Sequence, residues 1–218
     1  MNLFNFLRTK GTIEKKNKAE LNFWQERFAL KGGKLYWRNI YFQLYCHYLE
    51  IEKNSFRDKV FVDIGCGPHG ASGCFEAKIK FGIDPLVDIY NQEFNLHDQP
   101  DVIYLNCGAE KIPLINGFVD AVISRNAIDH IDNVEEVISE VHRILHKGGE
   151  IHFAVNYQED STVCEPNVLN DEIVRNLLNG KFDYEIKKRF PKNYDSEIGG
   201  VGQFKYPHEI VLINGNKI

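Results

Sequence analysis

The sequence predicts an α/β fold: a doubly wound, mostly parallel sheet with helices on both faces. Three observations carry this. Short apolar runs alternate with helical stretches from about residue 56 onward. The first of these runs, "VFVDIGCGPHG", breaks into Gly65, Gly67 and Gly70. An amphipathic stretch ending in Gly148-Gly149 then feeds directly into another apolar run. Residues 1–55 read as an N-terminal helical cap and 56–218 as one core, with no repeat or composition break between further domains.

Taken in order, Glu14 to Glu52 carries Leu21, Trp24, Phe28, Trp37, Tyr41, Leu44, Tyr45 and Tyr48 at helical intervals, and Gly32-Gly33 divides it into two helices. "VFVDI" is a buried strand, "ASGCFEAKI" the helix after it, and "FGID" the second strand. "NQEFNLHDQPD" reads as a polar loop leading to the strands "VIYLN" and "FVDAVIS". In "DNVEEVISEVHRILHKGG" the residues Val134, Val137, Ile138, Val141, Ile144 and Leu145 form one buried helical face. Asp132 or Asn133 is the N-cap, and the two glycines are the stop. "EIHFAVN" is the next strand. A helix at Asn170 to Leu178 and the strands "YEIKKRF" and "EIVLI" complete the chain.

Composition narrows the class of function. Hydrophobic residues are 43% and charged residues 26%, as in ordinary globular domains, and the net charge of -5 argues against a broad basic surface for nucleic acid. The basic run from Arg8 to Lys18 reads as a solvated leader. Five scattered cysteines with no C-x-x-C pair give neither a disulfide framework nor a zinc site, which suits a reducing cytoplasm. No signal-peptide core and no membrane span is expected.

The glycines fit G-x-G-x-x-G, a turn that lets backbone approach a nucleotide cofactor. Dinucleotides and S-adenosylmethionine (SAM) both use such turns. Asp63, two residues before Gly65, separates them: a carboxylate there suits the positively charged end of SAM and opposes a pyrophosphate. Asp84, closing the second strand, suits two ribose hydroxyls in either cofactor.

Together, "VDIGCGPHG", "GIDP", "AEKIPL", "GFVDAVISRNAIDHIDN" and "EVHRILHKGGEIHF" resemble the class I SAM-dependent methyltransferases, specifically their small-molecule, methyltransferase type 11-like subgroup, from about Val60 to Asn156. The resemblance implies a Rossmann-like, seven-stranded sheet whose last strand, "EIVLI", is antiparallel, and makes 56–218 a SAM-binding core. It implies that Asp63, Gly65, Cys66 and Gly67 lie under the methionine part of SAM and that Asp84 holds the ribose. Pro85 and Leu86 would flank the adenine, Ala109 and Glu110 its edge, and Arg125 or Asn126 would close over the cofactor. Gly108 departs from the family, which often has an acidic residue there to take the adenine amino group. "HKGG" for the usual K-P-G-G is a milder departure.

The acceptor belongs at the carboxyl edge of the fourth strand, where "SRNAIDHIDN" offers Asn126, Asp129 and His130. His130 is the first choice for a base or acceptor contact and Asp129 the second, because an imidazole accepts protons near neutrality. His130 could equally cap a helix or pack on the cofactor. The histidines have no metal-ligand spacing, so no metal is expected. Trp24, Tyr36, Trp37, Arg38 and Tyr41 are read as a lid, as core packing, or as both. Asn156, Tyr157 and Glu165 are pocket candidates. "KKRFPK" from Lys187 would attract an anionic acceptor or form a solvated strand edge.

The expected function is SAM-dependent methyl transfer to a small polar acceptor, at a hydroxyl of a sugar, another small or phosphorylated metabolite, or a glycan precursor. No nucleic acid is expected as partner. The alternatives are a catalytically inactive SAM-binding scaffold, a protein-directed methyltransferase and, least supported, a nicotinamide-dependent dehydrogenase. A homodimer exchanging N-terminal helices is left open.

Overall fold

The computed structural model describes residues 3–29, 32–99, 101–162, 165–191, 195–197, 203–205 and 208–218. Side chains are described from residue 14 onward, except in the segments at 195–197 and 203–205. Cys164 lies outside the described residues.

Seven strands form one sheet: β1 (Phe56–Ile64), β2 (Ala77–Asp84), β3 (Val102–Asn106), β4 (Val119–Arg125), β5 (Leu145–Tyr157), β6 (Phe182–Phe190) and β9 (Glu209–Lys217), in the order β3-β2-β1-β4-β5-β9-β6. The segments β7 (Asp195–Glu197) and β8 (Gln203–Lys205) pair only with each other. From β3 to β5 the strands are parallel, and β9 runs antiparallel between β5 and β6. The chain leaves β1 toward β2 on one side and β4 lies on the other. That places the switch point at the carboxyl end of β1, where open α/β sheets bind ligands.

Strand alternation divides the core in two. Val62, Ile64, Val122, Ile151 and Phe153 face the helices α4 (Val134–Ile144) and α5 (Asp171–Leu178). Phe61, Ala121, Ile123 and Ala154 face α2 (Gly33–Leu49), whose Leu44, Tyr45 and Tyr48 are fully buried, and α3 (Val87–Phe94). Asn133 caps α4 by accepting from the Glu136 amide.

Helix α1 (Leu3–Ala29) starts well before Glu14 and takes in the basic run expected to be a solvated leader. Lys16 from that run donates to the carbonyl of His130 and reaches Asp132 at 3.3 Å. "ASGCFEAKI" is not a helix. Ala71–Cys74 makes one 3-10 turn, Phe75 is extended, and Glu76 N donates to Lys53 O at 2.7 Å, so β2 has begun by Ala77. Helix α3 begins ahead of the expected polar loop and takes in its first four residues, folded because Val87 and Tyr90 bury on the aromatic side of the sheet. Helix α4 stops at Ile144, before the glycines. Leu145 is extended and pairs with Val119, while Lys217 Nζ takes the carbonyls of His142 at 2.6 Å and Leu145 at 2.8 Å.

The aromatic stripe packs on the core and in part lines a cleft. Trp37 and Arg38 are buried in α2, while Trp24 and Tyr41 are buried and also face a cleft. Arg38 makes a two-pronged ion pair with Asp98, both contacts 2.7 Å, and donates to His69 O at 3.1 Å. "KKRFPK" is a solvated edge: Lys187 and Lys188 pair with Glu50, and Arg189 with Asp171. No helix among the described residues is long and apolar enough to cross a membrane.

Candidate active site

A cleft of ≈ 750 Å³ runs along the carboxyl ends of β3, β2, β1, β4 and β5, with Lys16, Glu20 and Trp24 of α1 among its lining. Of the residues singled out in the sequence, Gly65, Gly67, Asp84, Pro85, Ala109, Glu110, Arg125, Asn126 and His130 line it. Asp63, Cys66 and Asp129 do not, and are fully buried beside it.

At the β1 end, the amides of Gly65 and Cys66 both donate to Ile83 O, at 2.8 and 3.2 Å, folding the loop back onto β2. Gly65 has φ +70°, and a Cβ there would stand 2.2 Å from the Cβ of Ala127, so the turns after β1 and β4 meet only because position 65 is glycine. Asp84 holds this loop: its Oδ2 accepts from Gly67 N at 3.2 Å and its Oδ1 from Leu86 N at 2.9 Å. Each carboxylate oxygen still has a lone pair for a ligand. Burial pushes this carboxyl up to about 6, against the two amides that lower it.

Asp63 sits behind the loop. Tyr45 Oη donates to both its oxygens, at 3.0 and 3.1 Å, and burial raises the carboxyl to about 8. Cys66 is equally buried and its thiol is held protonated by burial. At the β3 end, a Cβ on Gly108 would stand 2.5 Å from Glu110 Oε2. The Glu110 carboxylate therefore occupies the space where a residue-108 side chain would begin.

His69 was not foreseen as a site residue. It is 2% exposed, stacks on Tyr41 with ring centroids 4.2 Å apart, and meets Trp24 edge-on at 5.3 Å. Its Nδ1 accepts from Ala71 N at 3.1 Å, and burial with the nearby Arg125 and Arg38 charges keeps it neutral. The proton is thereby placed on Nε2, and this residue lines the cleft. The only signal was its place inside the glycine motif.

Past β4, Asn126 has φ +53° and its amide donates to Ala154 O at 2.9 Å. A left-handed asparagine is among the least costly of such exceptions, and it turns the side chain region of the loop toward β5. His130 Nε2 stands 3.4 Å from Asn126 Nδ2, 3.5 Å from Glu165 Oε1 and 3.7 Å from Asp129 Oδ2. Asn156, at the end of β5, donates to Asp129 Oδ2 at 3.2 Å and also to Asn126 Oδ1. Burial pushes the Asp129 carboxyl upward, opposed by His130. Asn156 and Glu165 line the cleft as expected, whereas Tyr157 stays outside it.

Residues 62–153 match the family model for a methyltransferase domain. The matched segment runs from β1 into β5 and takes in the glycine loop and Asp84. A curated relative, the malonyl-[acyl-carrier protein] O-methyltransferase of Enterobacter lignolyticus, is 29% identical over 98 residues, which are 42% of this chain and 37% of the relative. The match thus spans little more than a third of that relative's length. Among solved structures, a SAM-dependent methyltransferase from Thermotoga maritima, described as a possible histamine N-methyltransferase, superposes with TM-score 0.62 at 18% identity, covering 91% of this chain and 96% of that one. The Burkholderia thailandensis 1,6-didemethyltoxoflavin-N1-methyltransferase, solved with bound 1,6-didemethyltoxoflavin and S-adenosylhomocysteine, gives TM-score 0.58 at 14% identity over 96% of this chain and 89% of that one. These structural likenesses establish the class I methyltransferase fold, with its antiparallel strand β9 next to the edge.

Proposed function

We propose that the protein transfers a methyl group from SAM to a small polar acceptor, at a hydroxyl oxygen of a sugar, another small metabolite or a glycan precursor. One observation carries this reading. The groups suited to the cofactor, on β1 to β3, and the polar cluster after β4 and β5 line the same cleft beneath α1. A cleft of ≈ 750 Å³ lies within the usual range of small-molecule sites.

The residues present fit SAM. Asp84 offers a buried carboxylate with lone pairs for a ribose diol, the Gly67 turn leaves no Cβ in the way, and Glu110 supplies an acceptor for the adenine amino group. Arg125 and the His69 Nε2 donor suit the methionine carboxylate. Asp63 acts as a positioning group, fixing Tyr45, whose ring lines the cleft. A dinucleotide fits less well, because the glycine loop leads into a four-residue 3-10 turn and not the helix N-terminus that holds a pyrophosphate.

Bound here, SAM supplies a methyl group on a positively charged sulfur, open to in-line displacement. The protein's part is to align, to exclude water and to accommodate a proton. Trp24 and Phe23 of α1 shield the cleft. At the acceptor end of the cleft, His130, held beside Glu165 and Asp129, is the group that takes the proton of the acceptor hydroxyl on its ring nitrogen. Methylation at oxygen also agrees with the O-methyltransferase named among the relatives.

The test is incubation with SAM and a panel of hydroxylated acceptors, sugar nucleotides first, with amines and basic peptides alongside, following S-adenosylhomocysteine release. Turnover with a hydroxyl acceptor, reduced on the order of 10²-fold in His130→Ala, is expected. Turnover with amines or peptides alone contradicts the acceptor assignment. Cofactor binding without turnover on any acceptor favours the inactive scaffold.

A further inference from the structure

Asp129, His130 and Glu165 present one carboxylate oxygen, one ring nitrogen and one carboxylate oxygen all within 4.8 Å of one another. The separations around His130 Nε2, 3.5 Å to Glu165 Oε1 and 3.7 Å to Asp129 Oδ2, are too long for good hydrogen bonds. They are close to the spacing of donors around one small cation. Ligands about 2.1 Å from a metal, at octahedral to tetrahedral angles, stand about 3.0–3.4 Å apart.

A second feature points the same way. The Asp129 side chain is 0% exposed, and its Oδ1 has no hydrogen-bond partner among the described residues. The neighbouring Asn156 is 3% exposed and its Oδ1 is likewise unpartnered, while its Nδ2 serves Asp129 Oδ2 at 3.2 Å. Buried oxygens without donors, on two residues in contact, are costly unless something positive completes them. Nearby Lys16 is already committed to the His130 carbonyl and to Asp132.

We propose that Asp129, His130 and Glu165 bind one divalent cation at the acceptor end of the cleft, with the Asn156 carboxamide oxygen beside it. One imidazole with two carboxylates is a mixed donor set that suits Mn²⁺ or Zn²⁺ better than an all-oxygen ion such as Ca²⁺. Within the methyltransferase reading, on which this consequence alone rests, the cation would take the acceptor oxygen as a further ligand and favour its deprotonated form. His130 would then be a ligand and not a free base.

The experiment uses full-length protein treated with a chelator and dialysed. Mn²⁺ binding is followed by electron paramagnetic resonance and Zn²⁺ binding by calorimetry, with S-adenosylhomocysteine titrated separately. The expected result is one ion per chain, weakened at least tenfold in Asp129→Asn and in Glu165→Gln, with S-adenosylhomocysteine affinity unchanged in both. Glu165 lies on a partly exposed loop, so Glu165→Gln keeps the test valid should Asp129→Asn fold poorly. Absence of stoichiometric binding in folded wild type, or equal binding by wild type and Glu165→Gln, overturns the proposal. Ion binding without S-adenosylhomocysteine binding would sustain the cation site and sink the methyltransferase reading.

Discussion

Burial pushes the Asp63 carboxyl up to about 8, against the Tyr45 hydrogen bonds that lower it. Unfolded, the same group titrates near ~4. Between those values the folded chain holds a proton that the unfolded chain has released, so stability falls as pH rises through this window. Asp63→Asn does not titrate. Its melting temperature, measured without ligand, should gain on wild type from pH 5 to 8 and level off above that. A difference that stays flat across the window contradicts the burial account. Gly65→Ala is expected to cost more than the ~1–2 kcal/mol of a left-handed alanine, because its Cβ also meets Ala127. A lowered melting temperature with weakened S-adenosylhomocysteine binding checks this, and unchanged values contradict it. At this scale the sequence was legible where one segment holds all the parts, as in Gly65, Gly67 and Asp84. It was illegible where distant residues converge. Glu165 joins Asp129 and His130 across more than thirty residues, and no spacing rule encodes that approach.

Among the elements, α4 was readable almost whole, since its apolar face follows one period and Asn133 caps it through its own side chain. Asn133→Ala should cost about 1 kcal/mol in chemical unfolding while leaving cofactor binding unchanged. A loss of binding would mean that α4 sets the site more directly than its position suggests. Its end was misplaced because Leu145 is apolar in either state, and its pairing with Val119 makes it strand. "ASGCFEAKI" failed similarly: helix propensity lost to the β2 ladder that starts at Ala77. The contacts that fix helix α1 against the rest of the chain lie far off in sequence, Lys16 to Asp132 and Gln25 to Glu93. Because α1 lines the cleft, S-adenosylhomocysteine should slow amide hydrogen exchange in residues 16–27. Protection confined to the sheet loops would show that α1 does not close over the ligand.

For the whole molecule, the sheet topology followed from the alternation of strands and helices together with the motif order, and β9 takes the antiparallel place expected of "EIVLI". The division at residue 55 is less sharp in physical terms. Helix α2 belongs to the core through Leu44, Tyr45 and Tyr48, whereas α1 places Lys16, Glu20 and Trp24 along the cleft. Composition could not show this, since both helices are rich in aromatic residues. The central claim is that Asp84 and the glycine loop form a SAM site at the switch point of this sheet. Calorimetric titration of S-adenosylhomocysteine into wild type and Asp84→Ala, with NAD as comparison, tests it most directly. The account predicts one site per chain in wild type, at least tenfold weaker in a folded Asp84→Ala, and no comparable affinity for NAD. Equal binding by the two proteins, or preference for NAD, would contradict it.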